Sequence, residues 1–366
     1  MDVQKVITDK QASRTISSLP IILDFAQKKD SEHLERLVQA GKIKHIVDNY
    51  KEQEREYFEI QNPSLVYNEG IKEHFPKYLK RLTRRSPLWM QGLWVYFPWS
   101  FSLVHILDEE KFFTVRTNRN RELITEKEQK RLQNAIIGIA GLSIGSSVAI
   151  ALAMQGIGRY MKLADYDRLA LSNTNRIISS VENIGFSKIK MSARQLYGIN
   201  PYITIKLFHQ GLTKNTITKF VRDAPRLNII IDEIDDFGLK YLLRRYAKKY
   251  KIPVIMGIDN ADTAVIMVER YDKKENIEFF NGRFGKVTYK SLQNLNKQKV
   301  GALIGRLIGN ENIGERMKLS VKEIGRTLVS WPQLGGTALI NGSAVAGIAR
   351  KIILGENVEE LTLVSF

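Results

Sequence analysis

Gly141-Leu-Ser-Ile-Gly145 is the stretch whose reading decides the fold, together with Gly156 and Gly158, which close it, and Asp165, Asp167, Ser172, Asn173, Asn175 and Arg176, which follow. The apolar run 135–140 before it reads as a buried strand, and residues 146–155 after it read as a helix. Glycines between a strand and a helix N-terminus let backbone N–H groups approach an anion closely. Gly141, Ser143 and Gly145 are therefore candidate phosphate contacts. An ordinary dinucleotide site wants Gly-x-Gly-x-x-Gly and one acid about 20 residues on. Asp165 arrives on time, but the glycine spacing differs and a polar cluster ending in arginine follows at once. Hydride transfer has no need of such a cluster; handling a triphosphate has.

From about residue 130 onward strand and helix patterns alternate, with strands expected at 135–140, 160–164, 203–208, 227–231 and 253–257. The pattern predicts an α/β fold, a Rossmann-like and mostly parallel sheet with helices on both faces. Asp165, Asp232 and Asp235 then fall at strand carboxyl ends, the edge where open α/β sheets bind ligands. Residues 285–330 are basic and ambiguous, a candidate mobile crossover, and the Ala/Gly-rich run 337–353 reads as a packed helix. Upstream, Leu34, Leu37, Val38, Ile43, Ile46 and Val47 recur at helical spacing, broken at Gly41, and predict amphipathic helices. The aromatic and β-branched run 93–107 predicts a hairpin turning near Pro98 and Ser100.

Six motifs in register resemble the ThiF/MoeB/HesA superfamily of adenylating enzymes, which includes the ubiquitin-activating enzymes. They are Gly156-Ile-Gly158, Asp165-Tyr-Asp167, Ser172-Asn-Thr-Asn-Arg176, Gly185-Phe-Ser-Lys188, Asn200-Pro201 and Asp232-Glu-Ile-Asp235. The glycine loop is about one residue shorter than the usual form of that family, with Ser143 and Ile144 where glycines are common. The resemblance implies a homodimeric enzyme that uses ATP and Mg²⁺ to join a carboxylate to the α-phosphate and expel pyrophosphate. It implies ribose binding by Asp165, phosphate binding by Asn173 and Arg176, charge stabilisation by Lys188 and Mg²⁺ binding by Asp235. Asp167 and Asp232 could instead close turns or cap helices. Relatives also place an arginine of the partner subunit over the phosphates, and the matching segment here offers Arg119, with Arg116 and Arg121 as rivals. The expected division is 1–95, a smaller α+β recognition region able to clamp a peptide, and 96–366, the adenylation domain.

Composition narrows the chemistry. The 366 residues are 43% hydrophobic, enough for a substantial core, and include no cysteine. This chain can form neither a thioester nor a persulfide of its own, and no Cys-type zinc site. Its five histidines are scattered without metal-ligand spacing and read as surface or packing residues. No run of about 18 uninterrupted apolar residues and no basic-then-apolar leader is present, so no membrane association and a cytoplasmic location are expected. The net charge of +17 favours an acidic peptide, a nucleic acid or free nucleotide. Basic clusters lie at 77–85 and at 240–251, the latter read as a solvated helix face.

Two cysteine-independent branches of the superfamily remain as guides to substrate. One works on ribosomally made peptides, as in microcin C-type nucleotide ligation and pantocin-type cyclisation. The other dehydrates threonylcarbamoyl-adenosine on tRNA and usually lacks a long N-terminal extension. The roughly 100 residues before the sheet pattern here favour a peptide substrate, with tRNA as the alternative. A degenerate subunit that only binds nucleotide is the non-enzyme reading.

Overall fold

In the computed structural model, which describes residues 17–365, the glycine-rich stretch follows a strand and opens a helix. The chain divides into two compact units, one running to Thr125 and recruiting Asn200–Tyr202, the other formed by 126–199 and 203 onward. Residues 96–125 thus pack with the first unit, beyond the division expected at 95.

The first unit holds β1 (Ile21–Leu23), α1 (Lys28–Gln39), β2 (His45–Asp48), α2 (Tyr50–Gln61), α3 (Pro63–Tyr67), α4 (Ile71–Leu82), β3 (Leu93–Phe97), β4 (Ser102–Ile106) and α5 (Glu109–Thr117). Its sheet has the order β1-β3-β4-β2. The predicted hairpin is present, with Leu93 opposite Ile106 and Phe97 opposite Ser102. The helical reading ends at Gln39, however. Gly41 takes a positive φ of 61°, and Ile46 and Val47 continue as strand β2, parallel to β4. Two β-branched residues suit a pleated edge better than a helix turn. Leu34 and Leu37 of α1 pack against Leu23, Trp94, Tyr96 and Leu103. His105 is fully buried, stacked between Tyr50 at 4.1 Å and Trp94 at 4.3 Å. Glu54 at the centre accepts hydrogen bonds from the Tyr50 and Tyr78 hydroxyls and pairs with Lys111 at 2.7 Å.

The second unit runs α6 (Glu126–Gln133), β5 (Ile136–Ala140), α7 (Ile144–Met154), β6 (Tyr160–Ala164), α8 (Lys188–Ile199), β7 (Thr204–Phe208), α9 (Ile217–Arg222), β8 (Ile229–Asp232), α10 (Phe237–Lys249), β9 (Val254–Asn260) and β10 (Thr263–Glu269). It ends with α11 (Lys297–Ile308), α12 (Glu315–Lys322), α13 (Gly335–Leu354) and β11 (Leu361–Ser365). The sheet order is β11-β10-β9-β8-β5-β6-β7. Strands β5 to β9 are mutually parallel where they pair, and β10 and β11 close one side antiparallel. Central β8 is Ile-Ile-Ile-Asp with every residue buried, as expected of a strand covered on both faces. Because β5 joins β6 on one side and β8 on the other, the strand order reverses at β5, and its carboxyl end is the switch point where such sheets bind ligands.

One further expectation is corrected. Residues 285–330 contain α11 and α12, and Leu292 and Leu307 pack with Phe280 and Phe284 on Met256 and Met267 of the sheet. Helix α13, although interrupted by Asn341, Ser343, Arg350 and Lys351, is long and apolar enough on average to cross a membrane by length and composition, and half of that stretch is buried within the protein. Its small residues let it lie close on α7, where a Cβ at Gly342 would meet the Ser147 side chain at 2.6 Å. The packing explains the composition without a bilayer.

Candidate nucleotide site

The site is built at the carboxyl edge of β6, β5, β8 and β9. Gly141 leaves β5 with φ 88°, and its N–H donates to the Ala164 carbonyl at 2.8 Å. A Cβ there would lie 2.2 Å from the Glu233 carbonyl oxygen, so the loops after β5 and β8 can cross only over a glycine. The predicted helix start at 146 comes two residues earlier, at Ile144, and Gly145 is its second residue. Ser143 precedes the helix without capping it, and its Oγ is buried with no hydrogen-bond partner among the described residues. The first turn of α7 contains no acid, so its exposed N–H groups and dipole favour an anion.

Asp165 ties this loop to the next. Its Oδ2 accepts from the Leu142 N–H at 2.7 Å and its Oδ1 from the Asp167 N–H at 2.7 Å. Burial pushes the Asp165 carboxyl up, against the opposing pull of those two N–H groups and of Lys188. Each oxygen keeps a second lone pair for a hydroxyl donor. Asp167 holds Lys188 instead: Nζ pairs with Oδ2 at 2.8 Å, and the Lys188 side chain is only 7% exposed. Asn173 spends its Oδ1 on the Ala170 N–H at 3.1 Å, which leaves its amide N–H groups as the functional end.

Arg176 Nη1 donates to Asn175 Oδ1 at 2.9 Å and to the Ser172 carbonyl at 3.3 Å. Its Nε is buried with no partner among the described residues. An unpaired guanidinium N–H at Arg176, and an unpaired hydroxyl at Ser143 just before a helix N-terminus, are costly unless a ligand completes them. A polyphosphate would.

The two acids of the Asp232-Glu-Ile-Asp235 motif separate. Asp232 is fully buried, pairs with Arg244 and lies 3.3 Å from Lys240. Asp235 is exposed, and Asp236 beside it caps α10 by accepting from the Leu239 N–H at 2.7 Å. Burial, then the negative charge of Asp167, Asp235, Asp165 and Asp236, pushes the neighbouring Tyr166 hydroxyl up. Among the described residues no group of three or more His, Cys, Asp or Glu gathers as a metal site. A hard cation at Asp235 would take its remaining ligands from phosphate oxygens and water, the usual way Mg²⁺ is bound.

Sequence reasoning missed the β9 side of the edge. Asp259, 2% exposed, accepts from Asn341 Nδ2 at 2.9 Å and Gln333 Nε2 at 3.1 Å. Burial pushes its carboxyl up while the Asn341 and Gln333 amides and the Arg176 charge pull it down. Glu233 accepts from the Gly257 N–H at 2.9 Å; burial first, and nearby Asp232 and Asp259, push its carboxyl well up. The available signal was polar residues inside apolar runs: Asp259-Asn260 closing β9, and Asn341 within an Ala/Gly-rich helix. The arginine candidates Arg116, Arg119 and Arg121 belong to the first unit, with Arg119 exposed in the single turn Asn118–Asn120 and Arg116 half-buried over the Phe112 ring at 5.7 Å.

The basic run 240–251 is not uniformly solvated, contrary to expectation. Arg244 is fully buried and Lys240 nearly so.

The sequence profile described as the ThiF family matches residues 116–364. An uncharacterized protein, MT1398, of Mycobacterium tuberculosis (strain CDC 1551 / Oshkosh) is 32% identical over 301 residues, 81% of this chain and 41% of that protein. The chain thus spans less than half the length of that relative. The molybdopterin-synthase adenylyltransferase of Haemophilus influenzae (strain ATCC 51907 / DSM 11121 / KW20 / Rd) is 25% identical over 217 residues, covering 56% of this chain and 82% of that one. Among solved structures, the Escherichia coli tRNA N6-threonylcarbamoyladenosine dehydratase is similar with a TM-score of 0.47 and 21% identity, covering 66% of this chain and 95% of that chain.

Proposed function

Because the chain belongs to the ThiF family, whose members related to it include adenylyltransferases, we propose that it adenylates a carboxylate of a ribosomally made peptide. The observations that carry the reading are two unpartnered polar groups, Arg176 Nε and, at the anion-favouring N-terminus of α7, Ser143 Oγ. Asp165 takes the ribose hydroxyls on its free lone pairs, and Asn173 presents its amide N–H groups to the phosphates. Lys188, held by Asp167 at 2.8 Å, faces the charge that develops on the α-phosphate. A carboxylate nucleophile is already ionised near neutral pH, so positioning and charge neutralisation supply the rate. Mg²⁺ at Asp235 would neutralise phosphate charge and help pyrophosphate leave.

The bond made joins a carboxylate oxygen to the α-phosphorus; the bond broken joins that phosphorus to the α,β-bridging oxygen, which departs on pyrophosphate. The acyl adenylate then accepts an amine or amide nucleophile. The absence of cysteine from this chain fits direct transfer without a thioester relay.

Hydroxylamine trapping tests the reading. Purified protein with ATP, Mg²⁺, hydroxylamine and short acidic peptides is expected to yield a peptide hydroxamate, seen by mass. Hydroxamate absent with every peptide but ATP consumed with bulk tRNA, which the +17 charge would suit, would move the substrate to RNA. ATP binding without consumption of either would leave a nucleotide-binding subunit. The homodimer and its arginine donated in trans are tested together by mixing. Arg119→Ala and Asp235→Ala, each inactive alone, should regain up to about a quarter of wild-type activity when co-folded, because one mixed site in each heterodimer is intact. No recovery while Arg116→Ala or Arg121→Ala complements instead would reassign the arginine.

A further inference from the structure

A continuous line of hydrogen bonds runs across the carboxyl edge from the phosphate arginine to the far side of the sheet. Arg176 Nη1 donates to Asn175 Oδ1 at 2.9 Å, and Asn175 Nδ2 donates to the Gln333 carbonyl at 3.0 Å. Gln333 Nε2 donates to Asp259 Oδ2 at 3.1 Å, and Asn341 Nδ2 donates to Asp259 Oδ1 at 2.9 Å. The line is pressed together at two places. A Cβ at Gly335 would lie 2.3 Å from the Asn175 carbonyl oxygen, and one at Gly257 would lie 2.1 Å from Asn341 Oδ1. Trp331 Nε1 adds a bond to the Asp259 carbonyl at 3.3 Å. The segment before α13 is therefore latched at once to β9 and to the Ser172–Arg176 loop. Asp259 and Asn341 are buried, whereas Val329 in the same segment is 88% exposed.

We propose that Asp259 and Gln333 are positioning residues for Arg176, and that together they act as a latch coupling nucleotide binding to the segment 326–334. The inference rests on reading Arg176 as a phosphate ligand. With Nη1 fixed to Asn175, the unpaired Nε is aimed by the loop rather than by a partner of its own, so the loop's anchor sets the guanidinium's direction. Moving Gln333 or Asn341 away would leave the buried Asp259 carboxylate short of a donor, which resists displacement of the line. Asp259 is the anchor because it joins the loop, through Gln333, to α13 and the sheet.

Exchanging donor and acceptor tests the latch. Gln333→Glu places two carboxylates together, whereas Asp259→Asn keeps the bond to Asn341 and is met by a flip of the Gln333 amide, whose Oε1 then accepts from the new N–H. Gln333→Glu should weaken ATP binding about tenfold and displace Trp331, the only tryptophan after residue 99, while Asp259→Asn stays within about threefold of wild type. In the double variant Asp259→Asn/Gln333→Glu, the introduced amide still accepts from Asn341 and now donates to the introduced carboxylate, so both bonds return with the negative charge moved to position 333. Recovery of ATP affinity to within about threefold of wild type is expected, together with an ATP-dependent change in Trp331 fluorescence measured in a background lacking the other three tryptophans.

A Gln333→Glu variant that binds ATP as wild type does would overturn the inference, as would a double variant no better than Gln333→Glu. Fluorescence-detected binding needs no turnover. A wild type that binds ATP yet adenylates nothing would sink the proposed activity and leave the latch standing; loss of binding in Arg176→Ala ties the two together.

Discussion

Two aspartates three residues apart in one motif meet opposite fates. Asp232 is fully buried on β8, and Asp235 lies in the open just beyond it. Asp232 anchors a cluster of opposite charges: it pairs with Arg244, which binds Glu269 Oε2 at 2.6 Å and stacks over the Phe280 ring at 4.1 Å. Glu269 also accepts from the Tyr271 hydroxyl at 2.6 Å and the Phe280 N–H at 2.7 Å. Burial alone would push the Asp232 carboxyl up; Lys240 and Arg244 outweigh it and hold it below its ordinary range. The first acid thus fixes the end of β8 to α10 and β10, and the second is left free to meet a ligand. One motif can supply a foundation and a functional group, and burial tells them apart.

The comparison breaks most sharply by substitution. Asp232→Ala leaves a buried guanidinium and ammonium short of a counter-charge and should cost about 3–5 kcal/mol, seen as a large fall in the denaturant midpoint. Asp235→Ala should leave that midpoint within about 0.5 kcal/mol of wild type while lowering ATP-dependent adenylation about 100-fold or more. Equal stability losses in the two variants would erase the distinction. Between these extremes lies Gly141→Ala, which meets both a positive φ and the Glu233 carbonyl. It should destabilise by about 1–3 kcal/mol and weaken ATP binding, read by melting with and without nucleotide.

The smallest effect is a pH slope. Lys162 is buried on β6, donates to the Phe220 carbonyl at 2.9 Å, and is pushed down to about 8, first by burial and then by Lys206. Between about pH 8 and 10.4 the unfolded chain retains a proton that the folded chain has released, so this residue's contribution to stability rises with pH across that window and is level outside it. Thermal melts from about pH 7 to about pH 10.5 should show a rising component in wild type that Lys162→Met lacks. An identical pH dependence in both would place the lysine elsewhere in its titration.

What was legible in the sequence was whatever depends on local pattern. Ile229-Ile-Ile before an aspartate announces a central strand, and glycines at 141 and 145 announce the turn from a strand into a helix. Long-range partners were not legible. Arg244 sits in a basic run on a helix and reads as solvated, because its counter-charges Asp232 and Glu269 come from two other strands. Ile46 and Val47 continue a helical spacing by accident, and only pairing with β4 makes them a strand. Asp259 and Gln333 are 74 residues apart and meet only after β9 and α13 are in place. Asp167 and Lys188 matched motif positions separately, while their pairing at 2.8 Å is a tertiary fact.

The most direct test of the central claim is ATP–pyrophosphate exchange with the purified chain, Mg²⁺ and short acidic peptides. Exchange is expected only when a peptide with a free carboxylate is present, falling about 100-fold or more in Arg176→Ala and Asp235→Ala. Exchange independent of any carboxylate, or unaffected by losing Arg176 and Asp235, would contradict the account.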